Sequence, residues 1–274
     1  MAEPIEPLER LFEVDGLPRA SLPAELASLH GGDLGLPDEC LYANFVATLD
    51  GAVAIPGMPN SNAFIARDSD ADRFLMGLLR AFADAVLIGA GVLRASPRGT
   101  WRAAEIYPPA AAAYAELREA LGIAATPEVA VLTGRGSIDP AHPLFASGAL
   151  VVTSDEGAAQ LDEHLPDTTT VLVLGESPTL DPSSVVTALR ERGARRILCE
   201  AGPHTFGELL AADLVDELFL TRSPLLVGDV GVGSRLGLVE GSDLRPAGRD
   251  ARLLSVRRHG SHLFQRYALE PGRG

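Results

Sequence analysis

"RRILCEAGPHTFGELLAADLVDELFL", residues 195–220, sets a strand, a turn, a helix and a second strand in immediate succession. An apolar strand-like run, 195–200, ends on a carboxylate, Glu200. A glycine turn follows, then a helix-like segment at 203–213, and a second strand-like run opens at 217. Glycine in such a turn lets backbone N–H groups approach a ligand without interference from a Cβ.

The same alternation extends outward in both directions. Short apolar, β-branched runs recur at 41–49, 85–89, 129–133, 149–154, 170–175 and 217–228. Runs of this length suit strands buried on both faces. Helix-like segments lie between them at 69–83, 109–122, 154–165 and 181–193. Ser69, Ser154 and Asp181 stand as caps at helix starts, and Pro182 suits a first turn. "ARLLSVRRHG" and "SHLFQRYALE" (251–270) read as an antiparallel hairpin through His259-Gly260-Ser261. Residues 1–40 carry several Pro and Gly and one weakly helical piece at Leu22–Leu29, which reads as an arm; 41–274 reads as a single domain. The expected class is α/β: a mostly parallel central sheet, helices on both faces and a C-terminal antiparallel hairpin.

Composition narrows the function. The 274 residues are 46% hydrophobic and carry a net charge of −14. That charge repels nucleic acid and anionic membrane, so neither is an expected partner. No apolar run reaches the ~20 residues a membrane helix needs, and "MAEPIEPLER" lacks the layout of a secretory signal; a cytoplasmic location is expected. Cys40 and Cys199 read as buried small hydrophobes, and no Cys/His spacing suggests a metal site. All 23 basic residues are Arg. Lysine chemistry is thereby excluded, and an anionic ligand must be held by Arg or by helix N-termini.

In an open α/β sheet the site lies beyond the carboxyl ends of the strands. The turns there read "GAGVLRAS" after 85–88, "TGRGS" after 129–132, "GES" after 170–174 and "EAGPHTFG" after 195–199. "GAGVLR" lacks the third glycine of a dinucleotide fingerprint, so an ordinary Rossmann domain is not supported.

Four stretches, taken in order, resemble a known family. They are "NFVATLDGAVA", "LLRAFADAVLIGAGVLRASP", "ILCEAGPHTFGELL" and "LVDELFLTRSPLLVGD", together spanning roughly 41–230. They are similar to the reductase domain of bacterial riboflavin biosynthesis, the RibD C-terminal domain, which has a dihydrofolate-reductase-like fold. The resemblance implies a homodimer in which NADPH reduces a phosphoribosylaminopyrimidine, 5-amino-6-(5-phosphoribosylamino)uracil, opening its ribose to ribityl. It implies that Asp50 and Thr48 lie near nicotinamide and substrate, that Glu200 borders the substrate, and that Arg80 faces the substrate's phosphate. Asp50 and Glu200 are thus the expected catalytic pair. Asn44, Thr48, Asn62, Arg80, Arg94 and Arg98 form the expected substrate set.

For the cofactor, the expected contacts are Thr48, Gly89, Gly91, Val92, Gly175 and the run Gly202, Pro203, His204, Thr205 and Phe206. Backbone N–H groups at 202–207 suit a pyrophosphate. Arg135, with Thr133 and Ser137, is expected at the 2′-phosphate of NADPH.

Plainer readings stand beside these. Asp50 before Gly51 also reads as a turn residue, Arg80 as a cation complementing a helix end, and His204 as a helix-start residue. The chain also departs from the family pattern. Ala52 replaces a Lys, Val92 replaces the Thr of Gly-x-Gly-Thr, and "ASPRGTW" replaces the Asp-Asn-Pro substrate loop. The deaminase signature is absent from the sequence. Two further readings stay open: a reductase of this fold acting on another carbonyl, imine or pterin-like compound, and an NADPH-binding regulatory protein without turnover.

Overall fold

Strands and helices alternate in a computed structural model that describes residues 5–161, 165–231 and 233–272. In chain order the elements are β1 (Glu9–Glu13), α1 (Ala24–His30), β2 (Cys40–Ala47), α2 (Ser61–Ile65), α3 (Asp70–Phe82), β3 (Ala85–Gly89) and α4 (Ala90–Ala95). Then come α5 (Ala103–Ile106), α6 (Ala111–Ala120), β4 (Glu128–Leu132), α7 (Pro143–Ala146), β5 (Leu150–Thr153), α8 (Asp155–Gln160) and β6 (Thr170–Val173). The chain closes with α9 (Pro182–Glu191), β7 (Arg196–Cys199), α10 (Pro203–Ala211), β8 (Glu217–Arg222), β9 (Ala251–His259) and β10 (His262–Leu269). Positions 162–164 of the helix expected over 154–165 lie outside the described residues.

All ten strands form one sheet, ordered β1-β9-β10-β8-β2-β7-β3-β4-β5-β6. β8, β2, β7, β3, β4, β5 and β6 run parallel, and β9, β10 and β1 add an antiparallel edge. This is the expected fold class, mostly parallel with a closing hairpin. Residues 8–36 join it: β1 pairs with β9, and Leu8, Leu22, Leu26, Leu29, Leu34 and Leu36 are buried in the core.

One face of the sheet carries α1, α3 and α6, and the other carries α9 and α10. α3 buries Phe74, Leu75, Leu78, Leu79 and Phe82, each worth roughly 1.5–3 kcal/mol of transfer free energy. Gly77 lets Tyr114 of α6 lie flat against the helix, since a Cβ there would come within 2.7 Å of the ring. Two hydroxyls tie the helix down: Tyr42 donates to the Leu79 carbonyl and Tyr114 to the Phe74 carbonyl, both at 2.8 Å. The buried Arg118 guanidinium closes the C-terminal end of α3, donating to the carbonyls of Arg80, Ala81 and Ala83. α3 is therefore fixed at both ends, which matters because one stripe along it walls the site.

The strand expected over 217–228 stops at Arg222. From there the chain crosses the carboxyl ends of the strands, with Leu49 N–H donating to the Leu225 carbonyl and Leu236 bridging Ala54. Ladder pairing ends at 222 because these backbone groups, and those of Val227 and Gly228, bond the turn after β2 instead.

Candidate active site

From β2 the chain moves to β3, beyond β7, and onward to β6; from β7 it returns to β8 on the far side of β2. The reversal of direction opens a crevice beyond the carboxyl ends of β2, β7 and β3, where an α/β sheet binds ligands. A cleft of about 1180 Å³ occupies that position. One wall is a stripe of α3 at helical spacing, Ser69, Asp72, Arg73, Met76 and Arg80. The opposite wall is the pair of turns 89–92 and 200–205, and the rim comprises 54–63 and 94–102.

Glu200 lies at the floor, and its role in the strand end is electrostatic. Arg80 donates to it from Nε at 3.1 and 3.2 Å and from Nη2 at 2.6 Å. The two side chains are only 9% and 8% exposed, so this is a buried, forked ion pair joining α3 to the end of β7. Arg80, expected on a substrate phosphate, is committed to Glu200 by this geometry.

The two turns facing each other start helices without side-chain caps. Gly89 is the N-cap of α4 and Gly202 that of α10, and neither supplies a capping oxygen. By contrast, Ser69, Ser154 and Asp181 cap α3, α8 and α9. Pro203 occupies the first position of α10, and the N–H groups of His204 and Thr205 find no protein acceptor among the described residues. A methyl group at Gly89 would sit 3.7 Å from Thr205 Oγ1, and one at Gly202 3.8 Å from Val92 Cγ2. The two helix starts therefore adjoin, with open N–H groups suited to an anion.

Cations surround the mouth. Arg73 is paired with Asp68 and Asp70, and Arg94 donates to the Ser137 carbonyl at 2.9 Å. Arg98 and Arg102 also line the cleft and have no side-chain partner among the described residues. Trp101 lines the cleft but is only 4% exposed, its ring 6.2 Å from that of His142, so it anchors the 94–102 loop inward.

Of the residues expected from sequence, Asn44, Asn62, Arg80, Arg94, Arg98, Glu200, Gly89, Gly91, Val92, Gly202, Pro203, His204 and Thr205 line this cleft. Phe206 does not; it is 1% exposed and packs on Phe45 at 4.8 Å, because the first inward position of α10 faces the core. Thr133, Arg135, Ser137 and Gly175 lie off the cleft lining, on turns further along the sheet, with Arg135, Ser137 and Gly175 exposed.

Thr48 and Asp50 lie off it as well. Thr48 Oγ1 donates to Asp50 at 2.5 Å and accepts from Ala52 N–H at 2.8 Å. The Asp50 carboxylate also accepts from Val227 and Gly228 N–H at 3.2 and 2.7 Å, and Arg235 lies 3.4 Å away. Gly51, at φ +90, closes the turn. Asp50 thus clasps the turn to the crossing segment and Arg235, the plainer of the readings its sequence allowed. The Thr48 hydroxyl, with those N–H groups, holds the Asp50 carboxyl below its ordinary 3.8. The clasp is present above that value and lost as pH falls through the lowered one. We expect Asp50→Ala to accelerate amide hydrogen exchange at Val227 and Gly228 at neutral pH; unchanged protection would contradict the clasp.

Asp72 was not singled out by sequence. It is 6% exposed, lies in the cleft lining, and burial pushes its carboxyl from 3.8 up to about 6. The polar positions 69, 72, 73 and 80, which fall on one stripe of an amphipathic helix, include the signal that could have found it. Among the described residues no group of three or more His, Cys, Asp or Glu side chains is placed to hold a metal ion, and no helix is long and apolar enough to cross a membrane.

With this geometry in hand, comparison with known proteins is decisive for the family. The RibD C-terminal domain profile matches residues 39–261. The chain belongs to the RibD C-terminal domain family. Among relatives of this domain, the 2,5-diamino-6-ribosylamino-4(3H)-pyrimidinone 5′-phosphate reductase of Archaeoglobus fulgidus is 26% identical over 191 residues, 69% of this chain and 81% of that protein. In structure, the RibD-type fold is shared with a pyrimidine reductase-like protein of Corynebacterium diphtheriae, with a TM-score of 0.66 at 20% identity over 91% of this chain and 96% of that one. The riboflavin biosynthesis reductase Rib7 of Saccharomyces cerevisiae gives a TM-score of 0.56 at 14% identity, covering 88% and 94%.

Proposed function

We propose that this RibD-family chain is an NADPH-dependent reductase of a phosphorylated ribosylaminopyrimidine in riboflavin biosynthesis. The observation that carries the reading is the pair of adjoining, uncapped helix starts at Gly89 and Gly202, opening onto an arginine-rimmed cleft in a chain of this family. The donor set fits a dinucleotide: the free N–H groups of His204 and Thr205 take the pyrophosphate, and Arg135 takes the 2′-phosphate. When bound, NADPH supplies the hydride that reduces the anomeric carbon of the substrate.

The remaining work falls to the protein. Arg98 and Arg102 hold the substrate's phosphate, since they are the cleft arginines whose guanidinium groups bond neither a side chain nor a backbone carbonyl among the described residues. Glu200, fixed by Arg80, presents a positioned carboxylate at the floor. Asn44 and Asn62 offer amides to the heterocycle. The 54–63 and 94–102 segments cover the reacting groups and exclude water. Asp50 and Thr48 act at one remove, by positioning the segment that carries Leu236 to the cleft. A cytoplasmic homodimer belongs to the same reading.

The test of cofactor choice is Arg135→Ala. The substitution is expected to weaken NADPH roughly tenfold or more, the worth of a charge-assisted phosphate pair, while leaving NADH unchanged. Calorimetric titration with both cofactors reads the ratio, and an equal effect on the two would remove Arg135 from the 2′-phosphate site.

A second reading, a reductase of this fold with a different substrate, draws on one observation. The guanidinium that the family resemblance assigns to a substrate phosphate is bound to Glu200. Turnover of the phosphorylated pyrimidine at an ordinary enzymatic rate would exclude it.

A further inference from the structure

The cleft contains one buried carboxylate whose partners do not account for it. Asp72 is nearly fully buried, yet no arginine reaches it: Arg73 bonds Asp68 and Asp70, and Arg80 bonds Glu200. Its place is set by the helix start, where its own N–H donates to Ser69 Oγ at 3.3 Å. Beside it on β8 is Thr221, 1% exposed, and two residues on is Ser223, fully buried; neither hydroxyl has a protein partner meeting hydrogen-bond geometry among the described residues. The Thr221 hydroxyl faces the Asp72 carboxyl without reaching full hydrogen-bond geometry; a buried carboxylate with no stronger partner is costly without a ligand, and Asp72 stands in the wall of the cleft itself.

We propose that Asp72 anchors the substrate ring, its two oxygens accepting the 2-amino group and the adjacent ring N–H of a 2-aminopyrimidin-4-one, and thereby selects that ring over its 2-oxo counterpart. The inference rests on the pyrimidine-reductase reading above and deepens it. A carboxylate is acceptor-only, with two oxygens spaced for two parallel N–H donors. The 2-amino-4-pyrimidinone edge supplies such a pair. The 2-oxo ring puts a carbonyl oxygen where the amino group would be, setting acceptor against acceptor in a buried site. Sites built on buried polar pairing reject the analogue lacking the partner by orders of magnitude. The substrate is accordingly the ring before loss of its 2-amino group, and the 5-amino-6-(5-phosphoribosylamino)uracil expected from resemblance is the disfavoured one.

Burial raises this carboxyl to about 6; the Thr221 hydroxyl opposes the rise, the charge of Glu200 beyond β7 adds to it, and Arg73 on the same helix opposes it. Arg80 of α3 is neutralised by Glu200, and Arg98 and Arg102 of the rim line the same cleft. Above about 6 Asp72 is the acceptor the ring needs; below it the proton removes one acceptor.

The experiment uses the full chain with NADPH and two substrates, the 2,5-diamino pyrimidinone ribosylamine 5′-phosphate and its 2-oxo counterpart. Wild type is expected to favour the 2-amino ring in kcat/KM by about 100-fold or more. Asp72→Asn keeps the volume but presents one acceptor and one donor, the complement of the 2-oxo edge. It is expected to collapse or reverse that ratio while leaving NADPH affinity intact. In wild type KM for the 2-amino ring should rise as pH falls below about 6, and in Asp72→Asn that rise should vanish. Because the substitution removes a buried charge, the variant should melt no lower than wild type at pH 8, which separates loss of recognition from loss of fold. Equal turnover of both rings by wild type, or a ratio unmoved in Asp72→Asn, overturns the anchor alone. Oxidation of NADPH with neither ring overturns the pyrimidine-reductase reading, and the anchor with it.

Discussion

Gly202→Asp is expected to abolish useful NADPH binding without harming the fold. Gly202 has φ −70 and ψ 169, a backbone conformation open to any residue, and a Cβ there meets only Val92 Cγ2 at 3.8 Å. Asp is among the strongest N-caps, so its carboxylate would take the His204 and Thr205 N–H groups that we assign to the cofactor's pyrophosphate. The ligand would lose two charge-assisted bonds of about 1.5–3 kcal/mol each and meet a negative charge in their place. That amounts to at least ~3 kcal/mol, on the order of a 100-fold weaker Kd. Thermal melting should move by only a few tenths of a kcal/mol, toward greater stability. Calorimetric titration with NADPH checks the first figure; an unchanged Kd in a folded variant would place the phosphates elsewhere.

The second large effect is on stability. Glu200→Ala removes one half of the Arg80–Glu200 pair and leaves a buried guanidinium unpaired, at an expected cost of about 3–5 kcal/mol. Arg80→Met combined with Glu200→Leu removes both charges and should recover most of that loss, because the desolvation of both ions is relieved together. Urea denaturation of the single and double variants measures the difference. A loss below about 1 kcal/mol in Glu200→Ala would mean that the pair is effectively solvated.

These two sites show what the sequence could and could not convey. The strand ending on Glu200, the glycine turn and the helix after it were legible because strand and helix periods differ and glycine marks the change. The sheet and its closing hairpin followed from the same alternation. Glu200 itself was legible only as an oddity: its partner Arg80 lies 120 residues earlier, and no local pattern pairs them. Asp50 was hard to read for the same reason. Its motif placed it near the chemistry, but its bonds go to Val227, Gly228 and Arg235, contributed by a segment that reads as a continuing strand. Phe206 looked like a ligand contact because an aromatic residue beside a glycine turn can be either site or core, and only packing separates the two. Asp72 sat unnoticed in an amphipathic helix, where a single acid reads as part of the solvated face. The edge strand β1 was hidden by its surroundings, five residues amid Pro and Gly with nothing nearby to pair with; its partner β9 begins at residue 251.

We assign to the cleft between α3 and the Gly89 and Gly202 turns the reduction of a phosphorylated ribosylaminopyrimidine with NADPH. The most direct test follows NADPH absorbance with catalytic amounts of the protein and 2,5-diamino-6-ribosylamino-4(3H)-pyrimidinone 5′-phosphate. We predict oxidation of one NADPH per ribityl product formed, abolished by Gly202→Asp. Tight NADPH binding with no oxidation in the presence of this substrate would contradict the claim.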